Sequence, residues 1–464
     1  MAKKARISYV CQECGYDSPA YLGKCPECGN WNTFKEFKDI PVSSSTLKGS
    51  DSIVAGSDSK PQKLTEIVYS ETSRIQTKYT ELNTVLGGGI VAGSATLLAG
   101  DPGIGKSTLL LQLCLTLAQD GKTVLYISGE ESVEQIKMRA DRILARGESG
   151  KTKAKTPEHK VDTLLLVSLS DPDQAILQIE AIKPDLIVVD SIQTMQSQNL
   201  EGLSGSVGQV RYAAMHYIRA AKSLRIPLIL VGHVTKEGMV AGPMVLSHMV
   251  DTVLFLEGEK FTSTRILRSL KNRFGPVDEV GIFLMEEEGL TEVANPEQIF
   301  LTQKSGNVPG SVLVVTMEGT RAFLVEIQAL AVYSKLPMPR RVVSGLDQKR
   351  VELLLAVLQK HCRLPVETMD IFVNVAGGLK LSDPGIDLGI CLAIYSSVKN
   401  VPLTQTVGIA EVGLLGELRS VASLDKRTRE AQKLGFKDIV SFKSHKFLAQ
   451  VLRERGSQES SKEV

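Results

Sequence analysis

A formal net charge of only +2 spread over 464 residues excludes the strongly basic footprint of a chain that holds nucleic acid by bulk charge, and leaves such a partner neither favoured nor disfavoured. Hydrophobic residues at 43% and charged residues at 23% fit an ordinary soluble globular protein of roughly two to four domains. No apolar run reaches the roughly 18 residues that would suggest a membrane-spanning helix, and the basic start Met1–Arg6 leads into polar sequence, not an apolar signal segment.

The first element in chain order is a small cysteine module, residues 1–38. Cys11 and Cys14, then Cys25 and Cys28, form two C-x-x-C pairs ten residues apart. Each pair brings two thiolates to one ion from one tight turn. Two pairs complete a tetrahedron with no open position, the donor set of structural Zn²⁺. So short a unit has too little core to fold without such a staple. Trp31 and Phe34 follow; they pack the knuckle or stack on a base, and burial preference favours packing. The remaining cysteines, Cys114, Cys362 and Cys391, sit in apolar helical runs and read as core. The whole pattern suits a reducing cytoplasm. Residues 39–72, with Ser43–Ser45 and two Gly-Ser pairs, read as a flexible linker.

From 73 to 290, apolar strands alternate with helical patterns. Strands are predicted at 95–99, 123–128, 163–167, 186–190, 228–232 and 252–256, and helices at 173–183 and 207–224. Such alternation predicts a mostly parallel, doubly wound α/β sheet. Arg146–Lys160, with five basic residues, reads as a surface loop. Residues 291–455 change to an α+β pattern with helices at 347–361 and 387–398, and 456–464 read as a disordered polar tail.

Between the first predicted strand and the next helix stands Gly100-Asp101-Pro102-Gly103-Ile104-Gly105-Lys106-Ser107-Thr108, which fills every fixed position of G-x-x-x-x-G-K-[ST] in the strand–loop–helix context that pattern requires. The glycines let successive N–H groups face an anion, and the helix N-terminus adds positive partial charge. Lys106 supplies a point charge for the β- and γ-phosphates of ATP, and Ser107 a hydroxyl for Mg²⁺. Asp190 ends the apolar strand 186–190, at the edge where a parallel sheet binds ligands, and is placed to hold the Mg²⁺ shell. Glu130 and Glu131 end the preceding strand. Glu130 is the favoured base for water and Glu131 the alternate; both could instead cap the next helix. His233 ends the strand at 228–232, either as a γ-phosphate sensor or as a plain strand-end histidine.

The cysteine module, the phosphate loop, Ile127-Ser-Gly-Glu-Glu-Ser132 and Lys271-Asn272-Arg273-Phe274-Gly275 together resemble the bacterial RadA (Sms) family of DNA repair proteins, within the wider RecA-like group. The resemblance spans nearly the whole chain. It implies a RecA-like fold, a cytoplasmic homohexameric ring, and a DNA-dependent ATPase acting on single-stranded and branched recombination intermediates beside a RecA-type recombinase. It places Lys271 and Arg273 at a subunit boundary, reaching a neighbour's nucleotide or coupling it to DNA. It assigns DNA contact to Gln198–Gln209, with Gly205 and Gly208, and to Thr235–His248, with Lys236.

Residues 291–455 resemble the proteolytic domain of Lon-type proteases, at Leu381–Leu388. Gly385 stands where that family has its serine, and Ser423-Leu424-Asp425 aligns with the segment of its lysine, with Lys426 one place on. Without hydroxyl and amine at matched positions no Ser–Lys dyad forms, unless Ser382 and Lys426 make a shifted one, so the domain is expected to be proteolytically inactive and to serve assembly and DNA binding through Lys380, Arg340 and Arg341.

Overall fold

The computed structural model describes residues 6–11, 17–27, 29–39, 63, 74–145, 161–233, 243–258, 263–293, 308–403 and 405–460. Cys14, Cys28, Lys236, nearly all of the expected linker, the basic loop 146–160 and most of the second expected DNA loop lie outside them. The chain divides into two compact units. One runs to Gly258 and includes Arg265–Glu292; the other holds Val293 onward.

The N-terminal module is an antiparallel sheet of β1 (Arg6–Cys11), β2 (Asp17–Ser18) and β3 (Phe34–Asp39), in the order β2-β1-β3. Cys11, Cys25 and Phe34 form its small core. Residues 74–292 then supply β4 (Arg74–Ile75), α1 (Thr80–Val85), β5 (Ile90–Val91), β6 (Ala95–Gly100), α2 (Lys106–Gln119), β7 (Val124–Ser128), α3 (Val133–Ala145), β8 (Leu164–Ser168), α4 (Pro172–Ile182) and β9 (Leu186–Asp190). They continue with α5 (Val207–Leu224), β10 (Leu228–His233), α6 (Pro243–Met249), β11 (Thr252–Glu257), β12 (Thr264–Asn272), β13 (Val280–Glu286) and β14 (Gly289–Glu292).

Nine of these strands form one sheet, ordered β14-β13-β12-β11-β6-β10-β9-β7-β8. The six from β11 to β8 are mutually parallel and coincide with the six strands predicted from sequence. β6, β7 and β9 are buried along their whole length, as expected of strands covered on both faces. Alternation sorts them. Leu186 and Val188 join Leu109, Leu113 and Ile136 of α2 and α3, whereas Ile187 and Val189 join Ile179, Val210 and Leu246 of α4–α6. The antiparallel extension β12–β14 was not foreseen.

The second unit is α+β. A six-stranded sheet runs in the order β17 (Arg341–Ser344), β18 (Met369–Val375), β16 (Arg321–Tyr333), β15 (Ser311–Glu318), β19 (Thr406–Ile409), β22 (Asp438–Ser441), with β20 (Glu411–Val412) and β21 (Leu418–Arg419) as a separate ribbon. Its helices are α7 (Gln348–Cys362), α8 (Asp387–Lys399), α9 (Leu424–Lys433) and α10 (Leu448–Ser460). The helix α10 carries regular structure to Ser460, into the segment expected to be a disordered tail. Cys114 and Cys391 are fully buried as expected, but Cys362, at a helix end, is only half-buried.

Candidate active site

The parallel strands set the site. Gly100 of β6 lies level with His233 of β10, and Ser128 of β7 with Asp190 of β9, so all four chain segments leave the sheet along one carboxyl edge. Gly100–Thr108 trace the loop and the first turn of α2, with Pro102 and Gly103 exposed on its rim and Ile104 buried beneath. Helix α2 opens with Gly105 as N-cap at φ +113°, no capping side chain and no acidic residue in its first turn. Free N–H groups and an uncancelled dipole end suit a bound phosphate. A side chain at Gly103 would touch nothing, so the cradle is open.

Lys106 is only 3% exposed. Its ammonium donates to the carbonyls of Gly100 and Asp101, each at 2.9 Å, and lies 3.2 Å from His233 Nδ1. Burial pushes its pKa down, against the opposing pull of Asp190, Asp101 and Glu130. An ammonium beside Nδ1 makes that nitrogen the acceptor, so Nε2 carries the ring proton. Nε2 faces Glu130 Oε1 at 3.4 Å, and the Ser191 hydroxyl donates to the same oxygen. The His233 hydrogen bond, with Ser191 and Lys106 assisting and burial opposing, lowers the Glu130 pKa to about 2. Glu131 is paired instead with Arg139. Gly129 is required between the strand and Glu130, because a Cβ there would fall 2.1 Å from Thr194 Oγ1.

Three residues at this edge escaped the sequence reading. The phenol of Tyr126, 1% exposed, donates to Asp190 Oδ2 at 2.5 Å. A lone tyrosine in an aliphatic strand was the available signal, since a buried phenol needs a partner. Ser191, next to Asp190, anchors Glu130. Arg265, 7% exposed on β12, donates from Nε to the Ile104 carbonyl at 3.1 Å and so props the phosphate loop from beneath; it sits in the antiparallel extension that periodicity did not reveal.

Residues 59–239 match the family described as "AAA domain", and residues 9–36 the family described as "Rubredoxin metal binding domain". The "DNA repair protein RadA" of Bacillus subtilis (strain 168) is 46% identical over 438 residues, covering 94% of this chain and 92% of its own. The chain belongs to the RadA family of DNA repair proteins. The Streptococcus pyogenes serotype M1 RadA is 46% identical over 446 residues, covering 96% of this chain and 94% of its own, and the Listeria monocytogenes RadA 44% over 441, covering 95% and 93%.

The matches support an ATP-hydrolysing RecA-like domain and a metal-binding zinc ribbon in this RadA-family chain. Cys11 and Cys25 share one core, and the turn after Cys25 closes with Gly29 N–H on the Cys25 carbonyl at 2.9 Å, a geometry that fits thiolate ligation. Ser107 and Asp190 are oxygen donors of the kind Mg²⁺ takes.

The pentad that marks the RadA resemblance lies elsewhere. Asn272 pairs with Thr252, and Thr252 with Thr96, four residues or about 13 Å from Gly100 at the far edge of the sheet. Lys271 donates to the carbonyls of Ser247 and Val250 at 2.7 and 2.8 Å, closing the end of α6. Arg273, 57% exposed, reaches Asp251 at 3.2 Å. Neither belongs to this chain's own nucleotide site.

The first expected DNA loop is pinned. Gln209, fully buried, accepts from Ser197 N–H at 2.9 Å and donates to the Leu200 carbonyl at 2.6 Å, while Asp173 holds Ser197 and Asn199. Gly208 lies inside α5, not in a loop, whereas Gly205 stays at the exposed bend with φ +79°.

In the second unit, a Cβ at Gly385 would meet Arg427 Nη1 at 2.7 Å. That buried guanidinium pairs with Asp383, which also accepts the Gly385 and Met317 N–H groups. Asp425 turns outward to Lys443, and Lys426 to the Thr320 carbonyl. An arginine–aspartate pair thus fills the space beside Gly385.

Proposed function

We propose that this chain is a DNA-dependent ATPase that assembles as a hexameric ring and moves on single-stranded and branched recombination intermediates, extending heteroduplex and migrating branches beside a RecA-type recombinase. The observation that carries the reading is the convergence of Lys106, Glu130, Asp190 and His233 on one sheet edge above an uncapped helix N-terminus. Ser107 and Asp190 would hold Mg²⁺, which would supply neutralisation of the phosphate charge. Lys106 turns from its own loop carbonyls toward phosphate. Glu130, kept anionic by Ser191 and His233, orients the attacking water. His233 then loses its contact with Lys106, and the change passes through its main chain to the loop that follows. Arg273 serves a neighbour's nucleotide as a planar donor to phosphate oxygens.

The test is ATP turnover at fixed salt with single-stranded, duplex and branched DNA, together with displacement of an annealed strand. Turnover is expected to rise with single-stranded and branched DNA, and Lys106→Ala to abolish it in a folded protein. A rate indifferent to every DNA offered overturns the motor reading; a robust rate in Lys106→Ala removes the phosphate loop from the chemistry.

A further inference from the structure

The chain contains a single tryptophan, and the structure separates it from the aromatic residue beside it. Phe34 is 4% exposed in the core with Cys11 and Cys25, whereas Trp31 is 69% exposed. Trp31 lies on a hairpin closed by Cys25 N–H on the Asn30 carbonyl at 2.9 Å and Asn32 N–H on the Gly23 carbonyl at 2.8 Å, with Lys24 bridged opposite. The Lys24 ammonium is 5.6 Å from the indole centroid. Among the described residues, a Cβ at Gly23 would meet only Trp31 Cζ3, at 4.0 Å, so Gly23 adds no side chain against that flank of the ring. Asn30 and Asn32, both exposed, stand on either side.

This rim is polar. Glycine, two amides and an ammonium do not make the contiguous apolar area that anchors a protein partner. They do make what an unpaired nucleotide takes: a π-face for the base, a cation for the phosphate, and amides for base edge or sugar. We propose that Trp31 and Lys24 form a stacking site for an unpaired nucleotide of single-stranded nucleic acid, distinct from the loop at 198–209. The proposal rests on the DNA-dependent reading above.

Full-length zinc-loaded protein tests it, because emission from the sole tryptophan reports residue 31 alone. Labelled oligo(dT) is titrated at one salt concentration while Trp31 emission and oligonucleotide anisotropy are read together. Emission is expected to fall about twofold as anisotropy rises, and Trp31→Ala to weaken binding about 5- to 100-fold. Trp31→Phe, which keeps a π-face, restores most of the affinity. Lys24→Gln weakens binding and lowers the salt slope by about 1. Zinc content is measured for each variant; if Trp31→Ala loses zinc, the Phe and Lys24 variants decide. Rising anisotropy with unchanged emission, and native affinity in the variants, overturns the stacking site while leaving DNA binding intact. Absence of any anisotropy change overturns the DNA reading itself. Quenching by an added recombinase but not by oligonucleotide overturns the proposal in favour of a protein-docking surface.

Discussion

The Tyr126 phenol leaves Asp190 Oδ2 with a partner supplied from inside the sheet. Outer partners of this kind fix the orientation of a ligating oxygen. Tyr126→Phe packs the same volume but strips that donor from a carboxylate that is 8% exposed. Turnover is expected to fall about 10- to 100-fold with a higher Mg²⁺ requirement, read from initial rates across a Mg²⁺ series; an unchanged Mg²⁺ dependence would show Tyr126 to be packing only. Glu130 gives a second prediction at this scale. Its folded pKa of about 2 lies below the usual 4.5 because His233 and Ser191 hydrogen-bond the anion. The network's contribution to stability is therefore fully present above pH 4.5 and is lost as pH falls from there toward about 2. Denaturation midpoints of the native protein and Glu130→Gln should keep a constant offset at neutral pH and converge through that acid window. The offset is modest, since the side chain is 44% exposed and water screens it.

Elements differ in how far the sequence disclosed them. The six parallel strands were legible because each is a short, mostly apolar run ending at a polar or glycine residue, and the phosphate loop because it punctuates strand and helix. β12–β14 were not, because a mixed run such as Thr264–Asn272 carries Arg265, Arg268, Ser269 and Lys271; periodicity cannot show that Arg265 is buried to hold a loop carbonyl. The same limit applies at α9. The resemblance puts Asp425 at the lysine position with Lys426 one place on, yet Arg427 is the residue that turns inward, 2% exposed, onto Asp383. Burial raises the Asp383 pKa, but Arg427 and the two N–H donors outweigh it, and the net shift is downward. This pair makes a prediction about the unit. Arg427→Met leaves Asp383 buried without its counter-ion and is expected to cost about 3–5 kcal/mol, whereas Arg427→Met with Asp383→Asn recovers part of that loss. Gly385→Ser is expected to destabilise as well, by crowding the guanidinium, and to confer no peptide cleavage; casein turnover by that variant would show that a dyad can be rebuilt here.

At the scale of the whole molecule, the positions of Lys106 and Arg273 on opposite edges of one sheet limit what Arg273 can do. It either steadies its own chain or acts on another. The steadying role is small: the buried Asp251 keeps Lys222 at 3.0 Å and the Ala95 N–H at 3.1 Å without it, so removing Arg273 leaves no unpaired carboxylate. Arg273→Ala should therefore fold normally, which makes it a cleaner probe than Lys271, whose removal strips the end of α6 of its donor. If Arg273 serves the neighbouring nucleotide site, Lys106→Ala and Arg273→Ala chains are each inactive alone yet complementary. A head-to-tail ring built from an equal mixture holds an intact Lys106 facing an intact Arg273 at about one site in four. Co-expressed variants, purified as mixed rings and assayed with single-stranded DNA, should then regain about a quarter of native turnover, more if subunits sort favourably and less if sites must fire in concert. Turnover that stays at the level of the two variants measured separately would return Arg273 to a structural part within its own subunit, and the mechanism would need another donor for the developing phosphate charge.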